Sequence, residues 1–163
     1  MGRLGIDDLE DIRGCVLDEA GLDELIDAAR QCVYTFTTAS GWPLGVVMSY
    51  LYEDGAFWLT AVKQRNHVKA ARRDPRVSIV IMNNGTELDG RRMCTVKGEV
   101  TVYDDRETLD WFLPRFAARH QPGNPDAFVR LLDSENRVVM KVVPVSVPIS
   151  HDSRAIAGNG RGG

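Results

Sequence analysis

The sequence predicts a mainly β protein, a small antiparallel barrel of six strands with a few helices. Three observations indicate this class. About six strand-like runs follow one another with few helical segments between them. One run, Met93 to Tyr103, alternates apolar and polar residues as a half-buried antiparallel strand does. A hairpin signal, Glu53-Asp54-Gly55, joins two other runs, and closing the sheet into a barrel removes exposed strand edges.

The first predicted elements are a helix and a strand. Residues 23–30 carry acids early, a base late and apolar residues at helical spacing, which predicts a helix. From position 32 the apolar period changes to two, and the strand is predicted to end at the turn 40–43. Its two faces carry Cys32, Tyr34 and Phe36 on one side and Val33, Thr35 and Thr37 on the other.

A hairpin, a basic helix and a buried strand come next. The run from Leu44 to Tyr52 is strand-like and stops at the hairpin turn, and Phe57 to Thr60 returns as its partner. A basic helix is predicted to begin near Asn66. A continuous apolar strand, Arg76 to Met82, follows directly after Pro75 and ends in the loop 83–86.

The second half of the chain contains the clearest strand and two more helices. Within the strand from Met93 to Tyr103, Gly98 is expected to allow a close approach of the backbone. Residues 104–107 cap a helix that runs to Phe116, in which Pro114 is a kink or a breaker. A helical piece over residues 126–132 precedes a last strand from Arg137 to about Val147.

The length of 163 residues fits one domain with its own core. We assign residues 1–154 to a single barrel domain that starts with an acidic helical segment, and residues 155–163 to a disordered glycine-rich tail.

Cys15, Cys32 and Cys94 show no metal-type spacing and are expected to be reduced thiols. No run approaches the length of a membrane span, so we expect a soluble, cytoplasmic protein.

Charge is distributed unevenly along the chain. Acidic residues crowd the first thirty positions, whereas residues 63–76 are basic, and the net charge of -3 argues against a nucleic-acid binder. In the basic segment, the backbone N–H groups of the helix's first turn carry partial positive charge. Four side chains lie beside them: Lys63, Arg65, His67 and Lys69. This arrangement predicts a site for a phosphate group.

Structural alternatives to these functional interpretations stay open. A basic helical face is often only solvated, His67 could cap the helix, and Thr60 could be a hydrogen-bonding strand end. Trp58 is expected to pack in the core or at an interface. Because adjacent residues seldom face each other in a strand, His151 and Asp152 are not assigned as a catalytic pair. No serine-type triad, zinc motif or glycine-rich dinucleotide loop is found, so we assign no metal site and no catalytic side chain.

The order of elements resembles a known family. The chain is similar to the pyridoxamine 5′-phosphate oxidase-like, FMN-binding split β-barrel superfamily, and within it to the flavin- and deazaflavin-dependent oxidoreductases. The resemblance extends from about Val33 to Tyr103, and the junction 74–78 (Asp-Pro-Arg-Val-Ser) is its most specific part. The other matching segments are Gly41-Trp42-Pro43, Phe57-Trp58-Leu59-Thr60, Arg65 to Lys69, and Val96-Lys97-Gly98-Glu99-Val100.

The resemblance implies a homodimer with two equivalent sites for FMN or the deazaflavin coenzyme F-420 at the subunit interface. It places Val47, Met48 and Ser49 along the cofactor ring, with Leu59 and Thr60 flanking it. It places Arg65, His67 and Lys69 at the phosphate, with Lys63 adding charge beside them. No further partner is implied beyond a small-molecule substrate.

Two departures from the family pattern qualify these expectations. Many relatives have a lysine where this chain has His67, so phosphate affinity is expected to depend on the charge of an imidazole. True pyridoxamine phosphate oxidases end in an Arg-Leu-x-Pro type segment that grips the vitamin phosphate, whereas this chain continues through Ser150-His151-Asp152-Ser153-Arg154 into a glycine-rich tail. Vitamin B6 synthesis is therefore not expected.

We expect an oxidoreductase that transfers hydride to or from an unknown small organic substrate, with the chemistry supplied by the cofactor ring. Arginine far outnumbers lysine, as in GC-rich genomes where deazaflavin enzymes are common, which favours F-420 over FMN. One alternative is a non-catalytic flavin- or deazaflavin-binding or storage protein. A second is a nucleic-acid-binding module that uses the basic helix, whose affinity would fall steeply with salt.

Overall fold

The computed structural model describes residues 12–156, which form one curled sheet with four α-helices. In chain order the elements are α1 (Glu19–Ala28), β1 (Gln31–Thr37), β2 (Pro43–Ser49), β3 (Leu51–Glu53), β4 (Ala56–Val62), α2 (Asn66–Arg73), β5 (Arg76–Met82), β6 (Arg92–Tyr103), α3 (Arg106–His120), α4 (Pro125–Leu132), β7 (Arg137–Asp152) and a short 3-10 helix (Ser153–Ala155).

The sheet has the strand order β2-β1-β5-β6-β7-β4-β3, and every neighbouring pair is antiparallel. The predicted mainly β, antiparallel class is confirmed. The predicted number of six strands is wrong, because the part of the chain that the structure describes forms seven. The predicted strand from Leu44 to Tyr52 is two strands, which lie at opposite edges of the sheet. Residues of β2 also come close to β4, so the sheet curls toward closure.

Tyr50 is the residue at which the chain crosses from one sheet edge to the other. Its side chain is fully buried, and its hydroxyl donates a 2.6 Å hydrogen bond to the carbonyl of Ile26. Its backbone N–H donates to the carbonyl of Arg30, and its own carbonyl lies 2.9 Å from Nε2 of His120. These partners satisfy the backbone N–H and C=O groups of Tyr50, which make no strand-to-strand hydrogen bonds at the break within residues 12–156. The break is therefore tolerated there.

Two hydrophobic clusters lie on opposite faces of the sheet. The larger fills the inside of the curl between α1, α2 and the inner strand faces, and it includes the predicted inner residues of β1: Cys32, Tyr34 and Phe36. The smaller lies under α3 and packs the outer face of β4 and β7 against that helix, with Trp58 and Phe112 at its centre. The alternation predicted for β1 and β6 is confirmed by their burial.

Gly98 lies where β6 is bent against β7. The register between the two strands shifts around Lys97 and Gly98. A Cβ atom on Gly98 would lie 2.5 Å from Cγ1 of Val142 and 2.9 Å from the carbonyl oxygen of Val143. The predicted close approach of the backbone is therefore confirmed.

Several predicted boundaries differ from the structure. Helix α1 begins at Glu19 rather than at Asp23, because Asp18 accepts a capping bond from the N–H of Gly21. Helix α3 continues past Pro114, so this proline does not break it. Buried neighbours such as Leu113 and Phe116 hold the helix against the sheet despite the missing N–H. Strand β7 extends beyond Val147, since it keeps pairing with β6 as far as Arg92.

The chain ends and the cysteines were also predicted from the sequence. Of the predicted disordered tail, Ala155 lies in the 3-10 helix and residues 157–163 lie outside the described part, as do residues 1–11 of the acidic segment. All three cysteines are buried free thiols, as predicted, and burial raises the pKa of Cys32 to about 12. Among residues 12–156, no helix is long and apolar enough to cross a membrane.

Candidate functional site

The basic turn between β4 and α2 is tied to the sheet through its backbone. The N–H of Lys63 donates to the carbonyl of Asn136 at 2.8 Å, and that of Arg65 donates to the carbonyl of Val62 at 3.0 Å. Helix α2 then buries its apolar side, formed by Val68, Ala70 and Ala71. The opposite, basic side of the helix is consequently exposed.

The start of α2 differs from those of the other three helices in residues 12–156. Helices α1, α3 and α4 are each capped by a side-chain oxygen, from Asp18, Asp105 and Asn124 respectively. The N-cap of α2 is Arg65, whose side chain makes no capping hydrogen bond with the described residues and has no oxygen to accept one. Within residues 12–156, the first turn of α2 therefore lacks the side-chain acceptor that a helix start normally has.

Three of the four predicted cations surround this helix start. Lys63, Arg65 and Lys69 are exposed there. The arginines at the other end of α2 are held elsewhere: Arg72 pairs with Asp104 at 3.1 Å, and Arg73 donates to the carbonyl of Thr37. The positive charge that can meet a ligand at the helix start thus comes from the two lysines and Arg65.

His67, the fourth predicted phosphate residue, is turned toward the inside of the curl. Its ring lies 6.2 Å from that of Tyr34 and 6.1 Å from that of Phe36, centroid to centroid. Its Nε2 is buried and has no hydrogen-bond partner within residues 12–156. Burial, and secondarily the charge of Arg65, lower the pKa of His67. A neutral imidazole in this place adds no charge to the basic turn at neutral pH.

The three predicted ring contacts on β2 do not share one face. Val47 is 67% exposed on the outer face, while Met48 points inward and packs against the larger core cluster. Ser49 follows on the outer side and is half-buried. Because side chains alternate along a strand, a ligand on the outer face can meet Val47 and Ser49 through their side chains but not Met48.

The two predicted flanking residues on β4 are also divided between faces. Leu59 is fully buried in the inner cluster, so its side chain is part of the core. Thr60 is half-buried, and its hydroxyl donates a 2.8 Å hydrogen bond to the carbonyl of Val138 on β7. Trp58 packs against Trp111 at 4.6 Å between ring centroids, in agreement with the expected packing role.

The outer face of the sheet carries a largely apolar row that no local sequence pattern indicates. Strand pairing aligns one residue from each of five strands, β2, β1, β5, β6 and β7. We call these the outer row: Val47, Val33, Val80, Thr95 and Ile149. Val47 is 67% exposed and Ile149 57% exposed. The alternation along each strand predicts which side chains lie on its outer face. Only the pairing register of the five strands shows that these particular side chains are neighbours.

A cleft of about 610 Å³ lies at the end of the sheet where β1 begins and β2 and β5 end. We call it the end cleft. Its lining includes Ser49 and three side chains not assigned from the sequence: Arg30, Arg119 and His120. Nothing local in the sequence relates the end of α3 to Ser49, since the two are 70 positions apart and meet through the crossing at Tyr50. No group of three or more potential metal ligands is found among the described residues.

The family model described as pyridoxamine 5′-phosphate oxidase matches residues 19–147. A comparison with curated proteins yields no match. Among solved structures, the chain is similar to a conserved hypothetical protein from Mycobacterium tuberculosis, with 21% identity and a TM-score of 0.72 over 86% of this chain and 88% of that one. It is also similar to the heme storage protein HutZ from Vibrio cholerae (12% identity, TM-score 0.65, 81% and 94% covered) and to an F-420 reductase (17%, 0.60, 77% and 94%). At these identities the likeness shows the fold.

Proposed function

The chain belongs to the pyridoxamine 5′-phosphate oxidase family, and we propose that it is a flavin- or deazaflavin-dependent oxidoreductase of the split β-barrel type. It binds coenzyme F-420 or FMN and transfers hydride to or from a small organic substrate in the cytoplasm. The fold is shared with an F-420 reductase, which supports F-420 as a candidate beside FMN.

The observation that carries this proposal is the start of α2. Its first turn offers backbone N–H groups without a side-chain acceptor among the described residues, and Lys63, Arg65 and Lys69 lie exposed around it. Phosphate oxygens are good acceptors for such N–H groups, and the helix dipole favours their negative charge. Both FMN and F-420 carry a phosphate, so the residues present fit either cofactor.

We further propose that a second copy of the chain covers the outer row and that the cofactor lies at this interface. Val47 and Ile149 are apolar side chains exposed at the two ends of the outer row, with Val33 and Val80 between them. Contiguous apolar surface of this kind marks interaction sites. In this arrangement Val47 and Ser49 contact the cofactor ring from the outer face of β2.

The residues of the chain have binding and positioning roles in this proposal. Arg65 and Lys69 hold the phosphate, and Lys63 adds charge to the same turn. His67 stays neutral and fills space next to Tyr34. The cofactor, when bound, supplies the hydride chemistry. In this proposal the protein acts by orienting the ring and shielding it from water.

A second candidate is a non-catalytic flavin- or deazaflavin-binding or storage protein. The fold shared with a heme storage protein supports it. The two candidates differ in one measurable respect. A storage protein binds the reduced cofactor but passes hydride to no acceptor, whereas an oxidoreductase reoxidises it when a suitable acceptor is added.

Titration of the purified protein with FMN and with F-420, followed by cofactor fluorescence, tests the proposal. We expect saturable binding of at least one of them, with F-420 preferred. Riboflavin, which has the FMN ring without the phosphate, is the matched control and should bind more weakly than FMN. The proposal is overturned if neither cofactor binds, and the phosphate role falls if riboflavin binds as tightly as FMN.

A further inference from the structure

The end cleft has a lining suited to a charged ligand. Arg30 and Arg119 contribute guanidinium groups, and among residues 12–156 none of the side chains that line the cleft is acidic. Met82 and Phe128 add apolar surface to the same cleft. In a protein with a net charge of -3, such a cleft concentrates positive potential locally. Cations next to an apolar wall are the features that a site for a small organic anion needs.

Backbone carbonyl groups hold both arginines in place. Arg30 donates from Nη1 to the carbonyl of Arg119 at 2.5 Å. Arg119 donates from Nη2 to the carbonyls of Asp27 and Ala29, at 2.6 and 3.1 Å. The carboxylate of Asp27 is 3.8 Å from Nη1 of Arg119 and is 91% exposed, so it neutralises little of the charge. The two guanidinium groups are thus oriented by neutral partners and keep their charge for a ligand.

One donor of this pair has no acceptor. Nε of Arg119 is buried and lacks a hydrogen-bond partner in the described part of the chain. Buried polar groups are nearly always hydrogen-bonded, so an unpaired guanidinium N–H indicates a missing partner. Because this Nε is enclosed by the protein, a ligand in the cleft reaches it only if the Arg119 side chain shifts.

His120 contributes shape and polarity to the cleft rather than charge. Its Nε2 lies 2.9 Å from the carbonyl of Tyr50, which can only accept, so Nε2 carries the proton and donates. Burial is the main cause that lowers the pKa of His120, and the charges of Arg119 and Arg30 lower it further. The positive charge of the cleft therefore comes from the arginines.

The loop 83–86, which lines part of the cleft, is preformed. The side-chain amide of Asn83 donates to the carbonyls of Leu88 and Gly90, at 2.9 and 3.0 Å. The hydroxyl of Thr86 donates to the carbonyl of Asn83 at 2.8 Å, and Gly85 provides the positive φ that the tight loop requires. Because these bonds fix the loop, little order needs to be gained when a ligand binds.

We propose that the end cleft binds the carboxylate or phosphate group of a small organic anion through Arg30 and Arg119. Ser49 lines the cleft and also ends the strand that we place along the cofactor ring. If the proposed function holds, on which this assignment rests, the anion is the substrate and its apolar part extends from the arginines toward the ring. Binding of the anion itself requires no cofactor.

Nuclear magnetic resonance titration of the cofactor-free protein tests the site directly. The probes are benzoate and phenyl phosphate, which share a ring and differ in the anionic group, and neutral benzamide as the control. We expect at least one anion to shift the Arg119 Nε–Hε and Gly85 amide signals saturably, while benzamide does not. Arg30→Gln should weaken that binding about tenfold or more, because a charge-assisted hydrogen bond is lost. Arg130→Gln, an exposed arginine of α4 outside the cleft lining, should leave it unchanged.

The outcomes separate this site from the proposed cofactor site. Arg65→Ala should leave anion binding unchanged while weakening the cofactor, and Arg30→Gln should do the reverse. If the anions bind but no cofactor does, the cleft stands and the oxidoreductase assignment falls. The anion site is overturned if neither anion gives a saturable shift, if benzamide binds equally well, or if Arg30→Gln binds as the wild type does although its thermal unfolding is unchanged.

Discussion

His67 and Tyr34 meet edge to face inside the curl of the sheet, with their ring centroids 6.2 Å apart and their planes at 64°. Nε2 of His67 and the hydroxyl of Tyr34 are both buried without a hydrogen-bond partner within residues 12–156. Burial favours the uncharged form of each group: it lowers the pKa of His67 and raises that of Tyr34. The pair therefore behaves as part of the core, although the sequence places His67 in the basic turn.

His67 should make the stability of the protein depend on pH. In the unfolded chain its imidazole takes up a proton below about pH 6.5, whereas the folded protein resists protonation until the pH is lower. The unfolded state thus binds more protons in this window, and the free energy of unfolding falls as the pH drops through it. His67→Phe should reduce this dependence, measured by urea unfolding at about pH 7.5 and about pH 5.5.

A second histidine should keep part of the pH dependence in the variant. His120 also has a lowered pKa, so some dependence of the same sign should remain in the variant. An equal loss of stability on acidification in the wild type and in His67→Phe would show that His67 is protonated as readily in the folded protein as in the unfolded chain.

Gly98 should be intolerant of a side chain. In Gly98→Ala the new methyl group would lie 2.5 Å from Cγ1 of Val142 and 2.9 Å from a backbone oxygen, so β6 and β7 must separate locally. Overpacking of this kind costs about 1–3 kcal/mol of unfolding free energy. Gly123→Ala is the matched control, because nothing lies within 4 Å of its added Cβ. Equal stability of the two variants would contradict the close approach.

The outer row should hold the proposed dimer together. In Ile149→Asp a charge replaces a side chain that is 57% exposed in the single chain, and burying that charge against a second copy is unfavourable. Light scattering coupled to size-exclusion chromatography should show a dimer for the wild type and a monomer for Ile149→Asp. Leu131→Asp, at an apolar position on α4 that is 72% exposed, should remain dimeric. A monomeric wild type would contradict the interface.

The sequence predicted most strand positions because burial leaves a local pattern. Strand β5 has the predicted bounds, Arg76–Met82, and the inner residues of β1 and β6 are those that alternation indicated. The extra strand was missed because no proline, glycine or acidic turn residue marks a break in the run next to Tyr50. Its break depends on the hydrogen bond that Tyr50 donates to α1 and on the one that it accepts from His120 of α3, which no local pattern records.

The sequence predicted only those parts of the candidate site that are formed by residues close together in the chain. The exposed cations around the start of α2 follow from residues close together in sequence. The inward position of His67 depends on Tyr34 and Phe36, more than thirty positions away. The outer row and the end cleft depend on the register of five strands and on where α3 ends. A contact between distant segments leaves no periodic signal in either one.

The cofactor affinity of Arg65→Ala tests the central claim most directly, because Arg65 stands at the helix start that we assign to the phosphate. Fluorescence titration with the preferred cofactor should give a higher dissociation constant. The binding free energy should weaken by about 1.5–3 kcal/mol, the contribution of a charge-assisted hydrogen bond. Arg130→Ala, which removes an exposed arginine from α4, should keep the wild-type value. A dissociation constant unchanged in Arg65→Ala would contradict the assignment of this turn to the cofactor phosphate.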